Sequence, residues 1–207
     1  MKINPVRSYA LGIAAALIAI PGFATMHASA QSTQLFSANA VLTHSLNSNG
    51  AKMGQSVTAK LTSAASPELP KGTMLIGKVG QVQNASTNGT STMSITFDQA
   101  RLSNGQEIPI KAMLLGAYPP VVYNHLSGTS TYLPTQPNTV SDARTVTQKP
   151  GALNGIGMES SARSDTSAVF TSTNRNIKLE NGSVLQVAIA PISGTAATSS
   201  ATAGDLQ

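Results

Sequence analysis

Between Gly54 and Gly116 apolar residues fall on every second position, in short runs broken by Gly, Pro and Asn. Val57, Ala59 and Leu61 alternate with Thr58, Lys60 and Thr62, and Met93, Ile95 and Phe97 alternate with Ser94, Thr96 and Asp98. Successive side chains of a strand point to opposite faces, so this spacing sends one face into a core and the other into water. A helix would need apolar positions three and four apart, and no sustained stretch of that kind occurs. The segment is therefore committed to half-buried strands.

Turn chemistry divides the rest. Ser66-Pro67-Glu68 and Pro70-Lys71-Gly72 read as turns, and Thr73 opens a long strand to Gln83 in which Gly77 and Gly80 are places to bend or bulge. The run 84–90 is a loop by composition. Ser103-Asn104-Gly105 closes a hairpin into Glu107–Leu115, where Ile108, Ile110, Ala112 and Leu114 share a face. Upstream, a strand is expected over Leu35–Leu46, with His44 in it, followed by a turn at Asn49-Gly50. Downstream, Val169-Phe170 and Ile177–Leu179 lead to a turn at Asn181-Gly182 and a closing strand, Ser183–Ile192. Short sequential strands joined by tight turns favour antiparallel pairing. The expected fold class is all-β, an antiparallel β-sandwich or partly open β-barrel whose last strand returns to pair with the first part.

The two ends and the middle have a different texture. Lys2 and Arg7, an apolar run from Tyr9 to Ile20, Pro21-Gly22 and then Ala28-Ser29-Ala30 have the layout of a secretory leader over 1–30, cut after Ala30 so that the mature chain begins at Gln31. The apolar run is shorter than the roughly 20 residues of a membrane-spanning helix. Residues 31–116 form the first part of the core. Residues 117–168, rich in Pro, Ser, Thr and Asn, read as a low-complexity and partly disordered insertion, with Val121–Tyr123 and Leu153–Met158 able to dock locally. Residues 169–192 complete the core, and 193–207 form a tail too poor in large apolar residues to order itself.

Charge and composition exclude several kinds of chemistry. The chain has 13 basic and 8 acidic residues; losing Lys2 and Arg7 with the leader leaves 11 against 8, a net charge of +3. Those charges are scattered singly and there is no Trp, so the clustered Lys and Arg with interleaved aromatics of a nucleic-acid surface are missing. The absence of Cys removes disulfides, thiol nucleophiles and zinc–thiolate sites.

The motifs that imitate a site fail on context. Gly72 to Lys78 matches most of a phosphate-binding loop, but Val79 stands where Ser or Thr would ligate magnesium, and strand-type residues follow where a helix must start. Gly155-Ile156-Gly157 has Ser160 in place of the third glycine of a dinucleotide fingerprint. His44 and His125 could share a metal with Asp98 or Asp142, yet their spacing does not demand it. Asp98 and Glu107 could face each other across the Asn104-Gly105 hairpin as a carboxylate pair, and hairpin solvation with Arg101 as counter-ion is the simpler account. No catalytic residue, metal ligand or cofactor is assigned.

The blocks Leu69-Pro70-Lys71-Gly72-Thr73-Met74-Leu75-Ile76-Gly77-Lys78, Ile95-Thr96-Phe97, Leu102–Pro109 and Leu179–Val187 resemble the C-terminal β-barrel domain of TrbI/VirB-type conjugation proteins, part of type IV secretion core complexes. They also look like those of short secreted acidobacterial proteins of no established activity. The resemblance covers about 75 residues. It implies a barrel scaffold and a place in a bacterial envelope, with Pro70, Gly72, Thr73, Gly77, Asn104, Gly105, Asn181 and Gly182 as structural rather than catalytic positions. The chain departs from that family in its cleavable leader and in a polar insertion where the family carries an apolar helical hairpin. The expectation is a non-catalytic exported protein, periplasmic or at the outer membrane, with an envelope protein as partner. The alternative is a module that binds a glycan or small ligand, with the insertion as a lid.

Overall fold

A computed structural model describes residues 34–86, 89–121, 135, 138–141, 144–148, 153 and 155–192. The expected leader with its expected cleavage residues Ala28, Ala30 and Gln31, residues 193–207, His125 and Asp142 lie outside the described residues.

Among the described residues twelve strands follow one another: β1 (Leu35–Leu42), β2 (Leu46–Asn47), β3 (Ser56–Leu61), β4 (Met74–Gln83), β5 (Thr90–Arg101), β6 (Glu107–Tyr118), β7 (Thr139–Val140), β8 (Thr145–Gln148), β9 (Ile156–Ser161), β10 (Ala168–Thr173), β11 (Lys178–Leu179) and β12 (Val184–Pro191). Every pairing is antiparallel, as the turn spacing requires. Six strands run in the order β4-β3-β1-β12-β6-β5, and β5 pairs back onto β4, which closes a barrel. The returning last strand is β12, held between β1 and β6. β11 and β2 form a separate two-stranded ribbon. His44, expected within the first strand, instead occupies the exposed bend between β1 and β2.

The alternation read from the sequence points inward as expected. Val57, Ala59, Leu61, Met93, Ile95 and Phe97 belong to one buried cluster with Leu75, Leu114, Phe170, Leu185, Val187 and Ile189. The interior is filled by side chains rather than hollow, as in small closed barrels.

Two irregularities curve β4 and β5. The pairing slips between Ile76 and Gly77 and again between Val79 and Val82. A Cβ on Gly77 would stand 2.8 Å from the Phe97 Cα, so only glycine admits the backbone of β5 there. At the second slip the Ser94 Oγ fills the space beside Gly80 and accepts the Gln81 N–H at 2.7 Å. The side chain replaces a bond that the bulge removed from the ladder.

The expected turns are formed. Gly72, Gly105 and Gly182 have φ of 93°, 85° and 86°, a region open to glycine at little cost. Asn104 Oδ1 accepts the Gln106 N–H at 2.9 Å, and Thr73 Oγ1 donates to the Pro70 carbonyl at 2.8 Å. Thr73 is thus a turn residue that launches β4.

The 117–168 stretch holds more structure than its composition signals. β6 extends into it to Tyr118, and β7, β8 and β9 lie within it. β7 pairs with the edge of β1 beyond the end of β3, and Val140, Ala162 and Val146 pack over Leu35, Met113, Leu115, Ala188 and Ala190. β6 and β12 are therefore buried on both faces, inside the barrel and under the insertion.

Candidate functional site

The sites tested from the sequence are held apart or neutralised. Glu107 Oε1 accepts two hydrogen bonds from Arg101, at 2.9 Å from Nε and 2.6 Å from Nη2, and Asp98 pairs with Lys78 at 3.1 Å. The two carboxylates are each committed to a different cation, in exposed pairs. Lys78, the lysine of the imitation phosphate loop, lies in mid-strand, and Gly155 is a turn residue that opens β9 rather than a helix. His44 sits beside Thr43, whose Oγ1 is 3.0 Å from Nδ1. Among the described residues no three His, Asp or Glu side chains converge on a metal-sized point.

The distinctive geometry lies where β5 and β6 part. They pair only near their hairpin, over Gln99–Arg101 and Glu107–Pro109. Beyond it, the edge of β5 pairs with β10 from Thr90 to Ile95, so β6 is left with an edge that no strand among the described residues occupies. Polar groups of the insertion and its junction fill that edge instead. Ser167 donates its N–H to the Ile95 carbonyl at 2.8 Å, accepts the Phe97 N–H on its Oγ at 2.9 Å, and accepts the Leu114 N–H on its carbonyl at 2.9 Å. One residue thus bridges both strands at the fork. Ser160 Oγ donates to the Leu114 carbonyl.

Farther along β6, the Gln148 amide bonds both backbone groups of Ala117: Oε1 accepts its N–H and Nε2 donates to its carbonyl, each at 2.7 Å. A carboxamide carries the same donor and acceptor as a peptide unit. Gln148 is in effect one peptide of a missing strand. Nearby, the Tyr118 ring folds back over Gly116, where a Cβ would meet its Oη at 2.8 Å, and burial raises the phenol above its usual pKa. The β10-β9-β8 flap, inner face on this fork, ends the sheet at β8, whose Thr145 and Thr147 are exposed.

A second feature lies where the two ends of the insertion meet. Pro119, Pro120, Leu153, Ile156, Arg175, Asn176, Lys178, Glu180 and Ser183 line a recess of about 180 Å³. Its floor is fixed from below: Ser91 Oγ donates to the Arg175 carbonyl at 2.8 Å, Ser48 Oγ accepts the Ile177 N–H at 3.0 Å, and Asn176 Oδ1 accepts the Ala85 N–H at 2.9 Å. Lys178 and Glu180 pair at 3.1 Å. The turn glycine Gly182 has φ of 86°, and Pro120 packs against it.

No family model, no curated protein and no solved structure matches the chain.

Sequence reasoning missed both features. The serines and Gln148 sit in polar stretches and carry no periodic signal. The unbroken apolar run Ala112–Leu115, and Val187–Ala190 in β12, did carry one: strands apolar at every position are covered on both faces. That run announces a layer outside the barrel.

Proposed function

We propose that this chain is a non-catalytic exported envelope protein with a structural or protein-interaction role, in which a barrel presents a sheet edge to a partner strand. The observation that carries the reading is the contrast between a closed, side-chain-filled barrel and a sheet that ends, among the described residues, in the exposed strand β8. Unpaired edges accept extended peptides through main-chain hydrogen bonds, and natural proteins otherwise cover them. The leader-like first thirty residues support export. The likeness of Pro70–Lys78 and Leu102–Pro109 to TrbI/VirB-type barrels supports an envelope scaffold, and those residues build turns and bulges rather than a reactive centre.

Affinity capture from bacterial envelope extracts, under several solubilisation conditions, tests this with the unaltered chain beside a Thr147→Pro variant. The account expects a specific envelope protein that the proline variant fails to retain. No specific partner in any condition contradicts it.

A second reading, a module for a glycan or another small ligand, is favoured by the recess between Pro119-Pro120 and Leu153. It predicts that Lys178→Ala weakens ligand binding while leaving the thermal midpoint unchanged. Unchanged affinity for a ligand shown to bind would exclude the recess.

A further inference from the structure

We infer that the edge of β6 at Leu114–Ala117 is a strand-accepting site kept covered by the insertion, and that Gln148 is the latch that a partner strand displaces. The inference rests on the reading above that the chain binds a partner strand, and it adds a second, covered edge on β6 beside the exposed edge of β8, with the strand chemistry that this edge requires.

Among the described residues, the groups on this edge imitate an added strand without being one. Gln148 offers Ala117 one donor and one acceptor, Ser160 offers Leu114 a donor, and Ser167 offers it a carbonyl. An added strand could supply such bonds from its own backbone, with one irregularity opposite Leu115, where β6 itself bulges. The cover is held by short elements. β7 contributes two register pairs to β1, and β8 is four residues long. Few backbone bonds and a small buried area make such a segment open at lower free energy than the barrel beneath it.

Opening would also bare the outer face of the barrel. Leu35, Met113, Leu115, Ala188 and Ala190 are covered by Val140, Ala162 and Val146. Met113 and Leu115 belong to β6 itself, so a strand added to its edge places its own side chains beside them. The occupant is therefore an extended segment of another protein, apolar at alternate positions on the face beside Met113 and Leu115 and polar between, without proline at the positions that must donate. The covered apolar face argues for such a segment over a purely polar one.

The test uses hydrogen exchange and a defined peptide. In the unaltered chain the Ala117 amide should exchange at least about tenfold faster than the Leu42 amide, which bonds Ser183 within the barrel. Gln148→Ala should accelerate Ala117 about tenfold more and leave Leu42 unchanged, the second amide reporting that the fold is intact. Oxidising a Phe36→Cys/Thr139→Cys pair, placed at opposed positions of β1 and β7, should slow Ala117 toward the barrel value. A fluorescent peptide of alternating Thr and Val should bind the Gln148→Ala variant several-fold more tightly than the unaltered chain and fail to bind the oxidised form. Its proline-interrupted counterpart should bind none of them.

An Ala117 amide as protected as Leu42, or equal peptide binding by latched and unlatched forms, overturns the inference. So does a Gln148→Ala variant that dimerises through the freed edge, because a second copy of this chain would then be the occupant. These results are independent of partner capture. A retained envelope partner with a protected Ala117 would leave the interaction reading standing and remove only the latch.

Discussion

The Ser94 hydroxyl occupies the space that a side chain on Gly80 would need, and there it accepts the Gln81 N–H at 2.7 Å. A glycine and a buried serine on neighbouring strands thus form one device. The first makes room in a bulge, and the second satisfies the amide that the bulge leaves over. At the fork of β5 and β6 another buried serine, Ser167, likewise takes up a backbone N–H, that of Phe97.

Gly77 tests the stricter half of that device. An alanine methyl there would stand 2.8 Å from the Phe97 Cα, against backbone of β5 that cannot move aside. Gly77→Ala should therefore cost about 3 kcal/mol, the upper part of the overpacking range. Gly80→Ala meets a side-chain hydroxyl instead and should cost less, about 1–2 kcal/mol. Urea unfolding of the two variants measures both. Equal costs would contradict the distinction between backbone and side-chain obstacles.

The buried serines should not be equivalent. Ser167→Ala strands the buried Phe97 N–H and should cost about 1–3 kcal/mol. Among the described residues the buried Ser66 Oγ has no hydrogen-bond partner, so Ser66→Ala should be neutral or slightly stabilising. Denaturant midpoints of the pair check the sign as well as the size.

The exposed ion pairs should contribute little. Side chains of Arg101 and Glu107 are 54% and 46% exposed, and those of Lys78 and Asp98 are 60% and 44% exposed. Glu107→Gln and Asp98→Asn should each shift stability by less than about 1 kcal/mol, with the difference shrinking in high salt. A larger loss in thermal unfolding would mean that these carboxylates do more than solvate their hairpins.

Tyr118 gives a pH dependence with a fixed sign. Burial raises its phenol above the ordinary value of 10.0, so the unfolded chain loses this proton more readily than the folded one. The contribution is complete below about pH 9 and declines as pH rises past about 10 through the folded value. Urea midpoints at about pH 8 and about pH 11 should therefore differ more for the unaltered chain than for Tyr118→Phe. Identical differences would contradict burial of the ring over Gly116.

Much of the barrel was legible because strand physics repeats along the chain. The alternation at Val57–Leu61 and Met93–Phe97 fixed which faces turn inward, and Gly77 and Gly80 marked the two slips in register. The Asn104-Gly105 and Asn181-Gly182 turns followed from local backbone preference. The insertion was not legible for the opposite reason. β7 and β8 are short and built from Thr, Gln and single Val residues, β9 mixes Ile156 and Met158 with Gly, Glu and Ser, and their order comes from what they cover rather than from their own pattern. The covered face announced itself only in the unbroken apolar run Ala112–Leu115. His44 falls outside the strand expected for it because β1 stops at Leu42, where the Leu42 N–H bonds Ser183 and the chain bends away. Neither the fork at Ser167 nor the recess has a sequence signature, since each is assembled from residues far apart in the chain.

The central claim is that this protein meets a partner on the side where β8 ends the sheet. Photo-cross-linking in living bacteria tests it most directly, with benzoylphenylalanine placed at Thr147 and, as a control, at exposed Lys60 of β3, which is paired on both sides, to Val41 and to Met74. The account predicts a discrete cross-linked envelope protein from Thr147 and none from Lys60. Cross-links from Lys60 alone, or from neither position, would contradict it.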